Sequence, residues 1–358
     1  MIIFRYLAKE VWWTLLSLTA ILMLIFLSNQ FILYLNRAAA GSIPMMIIMK
    51  LMIIELPTLL CLLLPLGFYV AMLLAYGRLY ADSEMIVLQA CGYGPKNLLK
   101  HSLIMAAVVS FVLFFLMFWL VPEMYKERAK LLRTTGIQTL MQTIIPGRFH
   151  SIEGGQKIFY VQAMSRNHKK AEQIFLARQL PKENQVRWDV LWAEKAFAKK
   201  DANTGEDYLI LQQGREYQGV PGQANYQVTQ FSEYQTRLPH PVVNQKEDFR
   251  AVSWSELWPS QGNLKKIAEL QWRFSVPIMV FVLTLVAVPL SRVNPRSGKF
   301  ARLLPAIVIY ILYANLMFMG RNAIATGHLP PWLGLWSIHG LVALLGLFLI
   351  WRNQVKPA

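Results

Sequence analysis

The stretch at residues 77–94, GRLYADSEMIVLQACGYG, is a short polar segment set between two long apolar runs. Its charged side chains are Arg78, Asp82 and Glu84. Asp82 or Ser83 can cap a short helix, and Glu84 then lies in the first turn, where a carboxylate stabilises the positive end of the helix dipole. We therefore predict a short helix that lies across one membrane surface.

This short helix should have an apolar side made by Met85, Ile86, Leu88 and Ala90. Such a side can rest on the membrane or fill a groove in a partner protein. The alternative is a solvated loop that only connects two membrane spans.

The composition is that of an integral membrane protein. Hydrophobic residues make up 55% of the 358 residues, which is too high a fraction for a pair of soluble domains. A membrane-spanning helix needs about 20 predominantly apolar residues. Six windows of this kind occur, three on each side of a long polar segment: 11–35, 45–76, 98–121, 272–290, 303–319 and 332–351. The first window is longer than the apolar region of a signal peptide, about 7 to 15 residues, so we predict a retained first span.

Basic residues in the short loops predict the orientation, because cytoplasmic loops are enriched in Lys and Arg. Arg37 and Arg321 lie in the short loops on the side of the polar segment. The other side carries eleven basic residues: Arg5, Lys9, Arg78, Lys96, Lys100, Arg292, Arg296, Lys299, Arg302, Arg352 and Lys356. We therefore predict that both termini are cytoplasmic and that the polar segment is external. Membrane topology thus explains much of the net charge of +16, and no basic run interleaved with aromatics indicates nucleic-acid binding.

No sequence motif indicates an enzyme. The sequence contains no G-x-x-x-x-G-K-[ST] phosphate loop, no H-E-x-x-H, no C-x-x-C and no G-x-S-x-G. Cys61 and Cys91 both lie outside the external segment, so no disulfide is predicted there. We predict no catalytic residue and no metal site, and any work that the protein performs must draw on the energy of another protein.

The external segment changes character after residue 146. Short pieces rich in aromatic and β-branched residues are separated by turn residues, at 157–163, 173–180, 186–197, 208–212 and 226–234. This spacing predicts an all-β sandwich or open barrel of roughly 100 residues.

Three stretches carry a resemblance to a known family. They are MIIFRYLAKE at residues 1–10, LPLGFYVAMLLAYGRLYADSEMIVLQACG at 64–92, and VPLSRVNPRSGKFARLLP at 288–305. Together they resemble the LptF/LptG family of lipopolysaccharide export permeases. The start of the chain resembles the LptF branch more than the LptG branch, which stays open as an alternative.

The resemblance implies an α-helical membrane protein with six transmembrane helices, three before and three after an inserted periplasmic β-jellyroll-like domain. The implied divisions are residues 1–122 for the first three spans, with a coupling helix at about 78–91, residues 123–268 for the periplasmic domain, and residues 269–358 for the last three spans. It also implies a location in the bacterial inner membrane.

The resemblance further implies partners and an energy source. An LptG-like permease would form a heterodimer with this chain, and an LptB-like ATPase dimer would dock from the cytoplasm. An LptC-like single-span protein would join alongside, and the lipopolysaccharide extracted from the membrane would be passed to a periplasmic bridge protein. This chain would bind no cofactor, and the ATPase would use ATP.

The resemblance also implies roles for residues 78–91. Glu84 would face a basic group of the ATPase, with Asp82, Ser83, Met85 and Arg78 around it. A rigid helix between two spans would then transmit the movement of the ATPase to the membrane domain.

Arg37 and Arg321 are the implied contacts for lipid phosphate, whereas their ordinary alternative is to reach the headgroups as interfacial cations. The first span departs from the family pattern, because uncharged residues occupy the region around Gln30 and Leu33. A non-transporting sensor or scaffold with an external β domain is the alternative function. Pro57 and Pro65, which we expect to break the second span, favour a substrate cavity over a passive anchor.

Overall fold

The structure is a computed structural model that describes residues 2–39, 43, 45–134, 146–152, 157–165, 170–182, 185–200, 207–237, 249–258, 262–293 and 302–355. The chain forms two compact units. The first contains Met1–Asn29, Ile53–Glu127 and Glu247–Ala358, and the second contains Gln30–Met52 and Arg128–Lys246. Most of the helical residues belong to the first unit, and the β-sheet belongs to the second.

Six helices in the described part of the chain are long and apolar enough to cross a membrane. Three precede the sheet and three follow it, which confirms the predicted arrangement. A π-helical turn at Leu116–Leu120 joins the fourth helix to the fifth. In chain order the helices are α1 (Ile2–Ala39), α2 (Ile48–Ala81), α3 (Glu84–Ala90), α4 (Pro95–Phe115), α5 (Val121–Thr134), α6 (Trp254–Leu257), α7 (Leu264–Leu290), α8 (Leu303–Ala325) and α9 (Trp336–Val355).

Helices α1, α2, α7 and α8 are longer than their apolar windows, because flanking residues continue the helix beyond the apolar run. Helix α1 begins at Ile2 and α2 continues to Ala81. The predicted break of the second span is wrong, since Pro57 and Pro65 both lie inside the single helix α2. Each proline removes one backbone hydrogen bond, and packing against neighbouring helices holds the remaining turns.

The core of the helical unit is built around α2 and α7. Helix α7 packs against α4, α8 and α9 and is the most buried of the six spans. Gly67 of α2 allows a close approach to α1, because a Cβ atom at this position would lie 2.8 Å from Thr19 Oγ1 and 3.2 Å from Leu15 Cδ1. Helices α1, α8 and α9 bury few of their side chains and leave many apolar ones exposed. Exposed apolar faces of this kind are suited to lipid or to another membrane protein.

The inserted unit contains one antiparallel sheet, which confirms the all-β prediction. Its six strands are β1 (Phe149–Ile152), β2 (Lys157–Met164), β3 (Lys170–Lys182), β4 (Gln185–Lys200), β5 (Asp207–Gly219) and β6 (Gln227–Arg237). Each strand pairs with its neighbours in the sequence, in the order of a meander. One face is apolar and packs around Val161, Ile174, Leu191 and Leu211.

Two strands extend beyond their predicted ends, and their pairing register is continuous along their length. Gln173 and Gln213 have positive φ angles of 48° and 51°, and the strand pairing skips both residues. The predicted end of the fourth strand-sized piece at residue 212 is wrong, because β5 continues to Gly219. Gly214 is not a turn residue there, because it lies against the Phe231 side chain and the Trp192 carbonyl, where a larger residue would collide.

Candidate functional site

Helix α3 connects the ends of α2 and α4, as the sequence predicts. Ser83 occupies the N-cap with a left-handed φ of 62°, and its side chain makes no capping hydrogen bond. Its carbonyl instead accepts hydrogen bonds from the backbone N–H groups of Ile86 and Val87, at 3.1 and 3.2 Å. Gly92, with a φ of 88°, ends the turn after the helix. Arg78 lies before α3, in the last turn of α2.

The two sides of α3 face different surroundings. Met85 is fully buried in the core of the helical unit. Ile86 and Val87 are 49% and 61% exposed, and Ala90 is exposed beside them. The predicted single apolar side of Met85, Ile86, Leu88 and Ala90 is therefore wrong, since successive helical residues are about 100° apart. We call Ile86, Val87 and Ala90 the outer face of α3.

Helix α1 holds the beginning of α3 in place. The Tyr6 hydroxyl donates a hydrogen bond of 2.6 Å to Oε2 of Glu84. One helical turn further along α1, Glu10 forms an ion pair of 3.1 Å with Arg78. We call these four residues the α1 clamp. Sequence reasoning did not find Tyr6 or Glu10, although their spacing of four residues places them on one side of α1.

The other predicted coupling residues lie at the surface. Asp82 and Ser83 are exposed, and they lie in the turn between α2 and α3. Among the described residues, no group of three His, Cys, Asp or Glu side chains could hold a metal ion. This region therefore combines exposed polar and apolar side chains with one carboxylate, Glu84, that is held by a hydrogen bond.

A second polar cluster surrounds the predicted lipid contact Arg321. Its Nη2 atom lies 2.5 Å from Oε2 of Glu269, and its guanidinium carbon lies 5.1 Å from the centre of the Trp272 ring. The Arg321 side chain is 29% exposed, whereas Glu269 is 5% exposed. Arg321 thus offers one accessible side, and its other side already has an anionic partner.

Arg273 completes this cluster in the interior. Its Nε atom donates a hydrogen bond of 3.1 Å to Oε1 of Glu269. Its Nη2 atom donates to the carbonyls of Phe249, Arg250 and Val252, at 3.1, 3.1 and 2.9 Å. The cluster of two arginines and one carboxylate carries a formal charge of +1. Glu269 and Arg273 were not predicted, because near the start of the fourth span they resemble ordinary charged flanking residues.

Arg37, the other predicted lipid contact, is exposed in the last turn of α1. Its guanidinium carbon lies 6.0 Å from the centre of the Tyr34 ring. Lys50, which is exposed near the start of α2, is a basic residue that the loop analysis did not include.

The sheet contains a buried acidic pair. Asp189 of β4 and Glu216 of β5 are 2% and 6% exposed. Arg178 pairs with Asp189 and lies 3.8 Å from Oε1 of Glu216. Burial raises the pKa of Glu216, as do its hydrogen bond to Asp189 and the charge of Asp189, while the hydrogen bond from Gln218 and the charge of Arg178 lower it. Glu216 therefore holds its proton more tightly in the folded sheet than in water.

Sequence comparison relates this chain to known proteins. A sequence model for the lipopolysaccharide export system permease LptF/LptG matches residues 5–352. The chain is 28% identical over 350 residues to the lipopolysaccharide export system permease protein LptF of Escherichia coli K12. This match covers 98% of this chain and 94% of that protein. The protein of the same description from Shigella flexneri matches at the same identity and coverage. The matched region includes the α1 clamp, α3, the sheet and the Arg321 cluster.

Proposed function

Since this chain belongs to the LptF/LptG family of lipopolysaccharide export system permeases, we propose that α3 transmits the work of a separate ATPase to its membrane spans. The chain is a multi-pass permease subunit of the lipopolysaccharide export system. Its resemblance to LptF proteins favours that branch over the LptG alternative and a transporter over the scaffold.

The observation that carries the coupling role is the division of α3 into a buried and an exposed side. Met85 anchors the helix in the core, while Ile86 and Val87 stay exposed. Burying both side chains in a partner's groove would contribute about 1.5 to 3 kcal/mol for each fully buried residue. Glu84 lies at the start of this outer face, where a basic group of the ATPase can approach its carboxylate.

The α1 clamp explains how a push on α3 reaches the membrane. Tyr6 connects α1 to Glu84 and Glu10 connects α1 to Arg78, so α1, α2 and α3 are linked at one end. A displacement of α3 therefore moves the ends of two spans together. Arg78 acts in this scheme as an internal support, while Asp82 and Ser83 border the docking surface.

The substrate is lipopolysaccharide, and we assign its phosphate groups to the cations Arg37 and Arg321. Both are accessible, and a guanidinium binds phosphate through paired N–H donors. The exposed apolar side chains of the spans would contact acyl chains or a second permease. They include Trp13, Leu16, Leu24, Leu304, Leu312, Leu344 and Phe348.

The partners that fit this function are those of the export complex. We propose an LptG-like permease against the exposed spans, an LptB-like ATPase dimer on α3, and an LptC-like protein with a periplasmic bridge beyond the sheet. The complex would lie in the inner membrane, with both termini of this chain cytoplasmic and its sheet periplasmic. ATP would be hydrolysed by the ATPase, and this chain would act without a cofactor and without catalysis.

The variant Glu84→Arg tests the coupling role. It reverses the charge at the start of the outer face, so we expect the chain to insert normally, to lose copurified ATPase in native mass spectrometry and to stop lipopolysaccharide export. Glu172→Arg is the matched control, since Glu172 is an exposed carboxylate on β3. Normal export by the Glu84→Arg variant would contradict the proposal.

A further inference from the structure

Glu269 is shared by two arginines that differ in their freedom to move. Its Oε1 atom accepts from Arg273 and its Oε2 atom lies against Arg321. The Arg273 side chain is 1% exposed and the Arg321 side chain is 29% exposed. One carboxylate therefore joins a buried cation to a partly open one.

Arg273 is fixed in this arrangement. Besides Glu269, it donates to three backbone carbonyls of the segment Phe249–Val252. Moving this side chain would leave the carbonyls and a buried charge without partners, which is costly. The bond between Arg273 and Glu269 thus holds the carboxylate in position.

Arg321 also contacts an aromatic ring. Its guanidinium lies over the ring of Trp272, at 5.1 Å from the ring centre, and a cation over an indole face is stabilised by the ring quadrupole. The guanidinium can therefore turn its donors away from Glu269 toward the open side while it keeps contact with Trp272. In Coulomb terms, a phosphate on that side would compete with the carboxylate for the same cation.

We propose that Glu269 is an internal counter-ion that competes with the phosphate of lipopolysaccharide for Arg321 and so promotes release of the lipid. This inference rests on the proposed contact between Arg321 and lipid phosphate. When phosphate occupies the site, the nearby carboxylate repels it, and when the phosphate leaves, Arg321 returns to Glu269. Glu269 acts through Arg321 and is a positioning residue, which sets how tightly the site holds its anion.

Binding of two lipids to the purified full-length chain in detergent tests the proposal. The probes are bis-phosphorylated lipid A and fully dephosphorylated lipid A, and inorganic phosphate serves as a competitor that separates headgroup binding from free-anion binding. Glu269→Gln keeps an oxygen for Arg273 but removes the negative charge. We expect it to bind bis-phosphorylated lipid A about two- to fivefold more tightly, the range for loss of a partly exposed ion pair, and to bind the dephosphorylated lipid unchanged.

One further variant and one measurement in cells keep the test decisive. Glu269→Asp keeps the charge beside Arg273 but shortens the reach to Arg321, so we expect an affinity between those of the original chain and Glu269→Gln. It also serves if Glu269→Gln fails to fold. In cells, a photo-crosslinker near Arg321 should capture more lipopolysaccharide in Glu269→Gln, because release is slower.

The outcomes distinguish the counter-ion role of Glu269 from the lipid contact of Arg321 on which it rests. If Arg321→Gln leaves binding of bis-phosphorylated lipid A unchanged, the lipid contact of Arg321 is itself wrong. If Arg321→Gln weakens binding while Glu269→Gln also weakens it or has no effect, Arg321 binds lipid but Glu269 does not compete. Displacement of the lipid by millimolar inorganic phosphate alone would show a general anion site and overturn the assignment to a lipid headgroup.

Discussion

The hydroxyl of Tyr6 donates a 2.6 Å hydrogen bond to the carboxylate of Glu84, joining residues that are 78 positions apart in the chain. This bond fixes the start of α3 against the first turns of α1. The carboxylate that we propose to face the ATPase is thereby connected to a membrane span. The contact makes the orientation of Glu84 depend on α1, a helix outside the segment at residues 77–94.

Tyr6→Phe should weaken coupling without affecting insertion. It removes one charge-assisted hydrogen bond at an exposed site, worth about 1 kcal/mol, so we expect export to fall by about fivefold. The measurement is the rate at which lipopolysaccharide leaves vesicles containing the complex, with ATP hydrolysis recorded in parallel. Tyr226→Phe is the control, since Tyr226 is exposed on the sheet unit. An unchanged ratio of lipid moved to ATP hydrolysed would contradict a role for Tyr6 in coupling.

The two sides of α3 predict opposite effects of substitution. Val87→Asp changes a side chain that is 61% exposed, so the stability of the free chain should change by less than about 0.5 kcal/mol. The same variant should lose the copurified ATPase, because a charge would enter the apolar contact. Met85→Ala removes a buried side chain and should lower stability by about 2 to 5 kcal/mol.

Thermal unfolding in detergent and pull-down of the ATPase distinguish these two variants. A Val87→Asp chain that still binds the ATPase with unchanged affinity would show that the outer face is not the docking surface. A Met85→Ala chain that unfolds at the original temperature would contradict its role as the anchor of α3.

The apolar windows were sufficient to predict the six spans and their division around an all-β insertion, because burial in a membrane requires about 20 apolar residues per helix. The turn at residues 77–94 likewise predicted α3, since its polar residues and glycines are local signals. The direction of Met85 could not be predicted, because it depends on which side of α3 meets the core. The sequence of a short helix does not show which of its hydrophobic residues faces the core.

Long-range polar contacts were not predictable for a related reason. Glu269 follows Lys265 and Lys266 in the sequence, a pattern typical of a charged flank. Only the folded chain brings Arg321 to it from 52 positions away. In the sheet, the continuation of β5 beyond residue 212 was not predicted because Gly214 has the sequence signature of a turn, while its actual role is to leave room for Phe231.

Gly67 predicts a stability effect at the contact between α1 and α2. A methyl group at this position would lie 2.8 Å from Thr19 Oγ1, so Gly67→Ala should force a local shift and lower stability by about 1 to 3 kcal/mol. Gly340→Ala is the matched control in α9, where an added Cβ meets nothing within 4 Å. We expect the control to be neutral or slightly stabilising, because alanine has the higher helix propensity. Equal melting temperatures for the two variants would contradict the tight approach at Gly67.

Glu216 predicts how the stability of the sheet changes with pH. Burial, followed by Asp189, raises the pKa of Glu216 above its ordinary value of 4.5, so the folded sheet binds this proton more tightly than the unfolded chain. The stabilisation from Glu216 is therefore complete below about pH 4.5 and is lost as pH rises through the raised pKa. Glu216→Gln removes this titration and keeps an acceptor for the hydrogen bond that Gln218 donates. Relative to the original chain, we expect the variant to gain stability from acidic toward neutral pH.

Amide hydrogen exchange in β4 and β5 of the full-length chain, corrected for the intrinsic effect of pH, measures this difference. The control is Glu233→Gln on β6. The Glu233 side chain is exposed, so this substitution should leave the pH dependence of the protection unchanged. The Glu216→Gln variant and the original chain should converge at low pH, where Glu216 is protonated, and diverge above it. A constant difference in protection from acidic to neutral pH would show that the loss of the Arg178 contact, and not the proton, controls the effect.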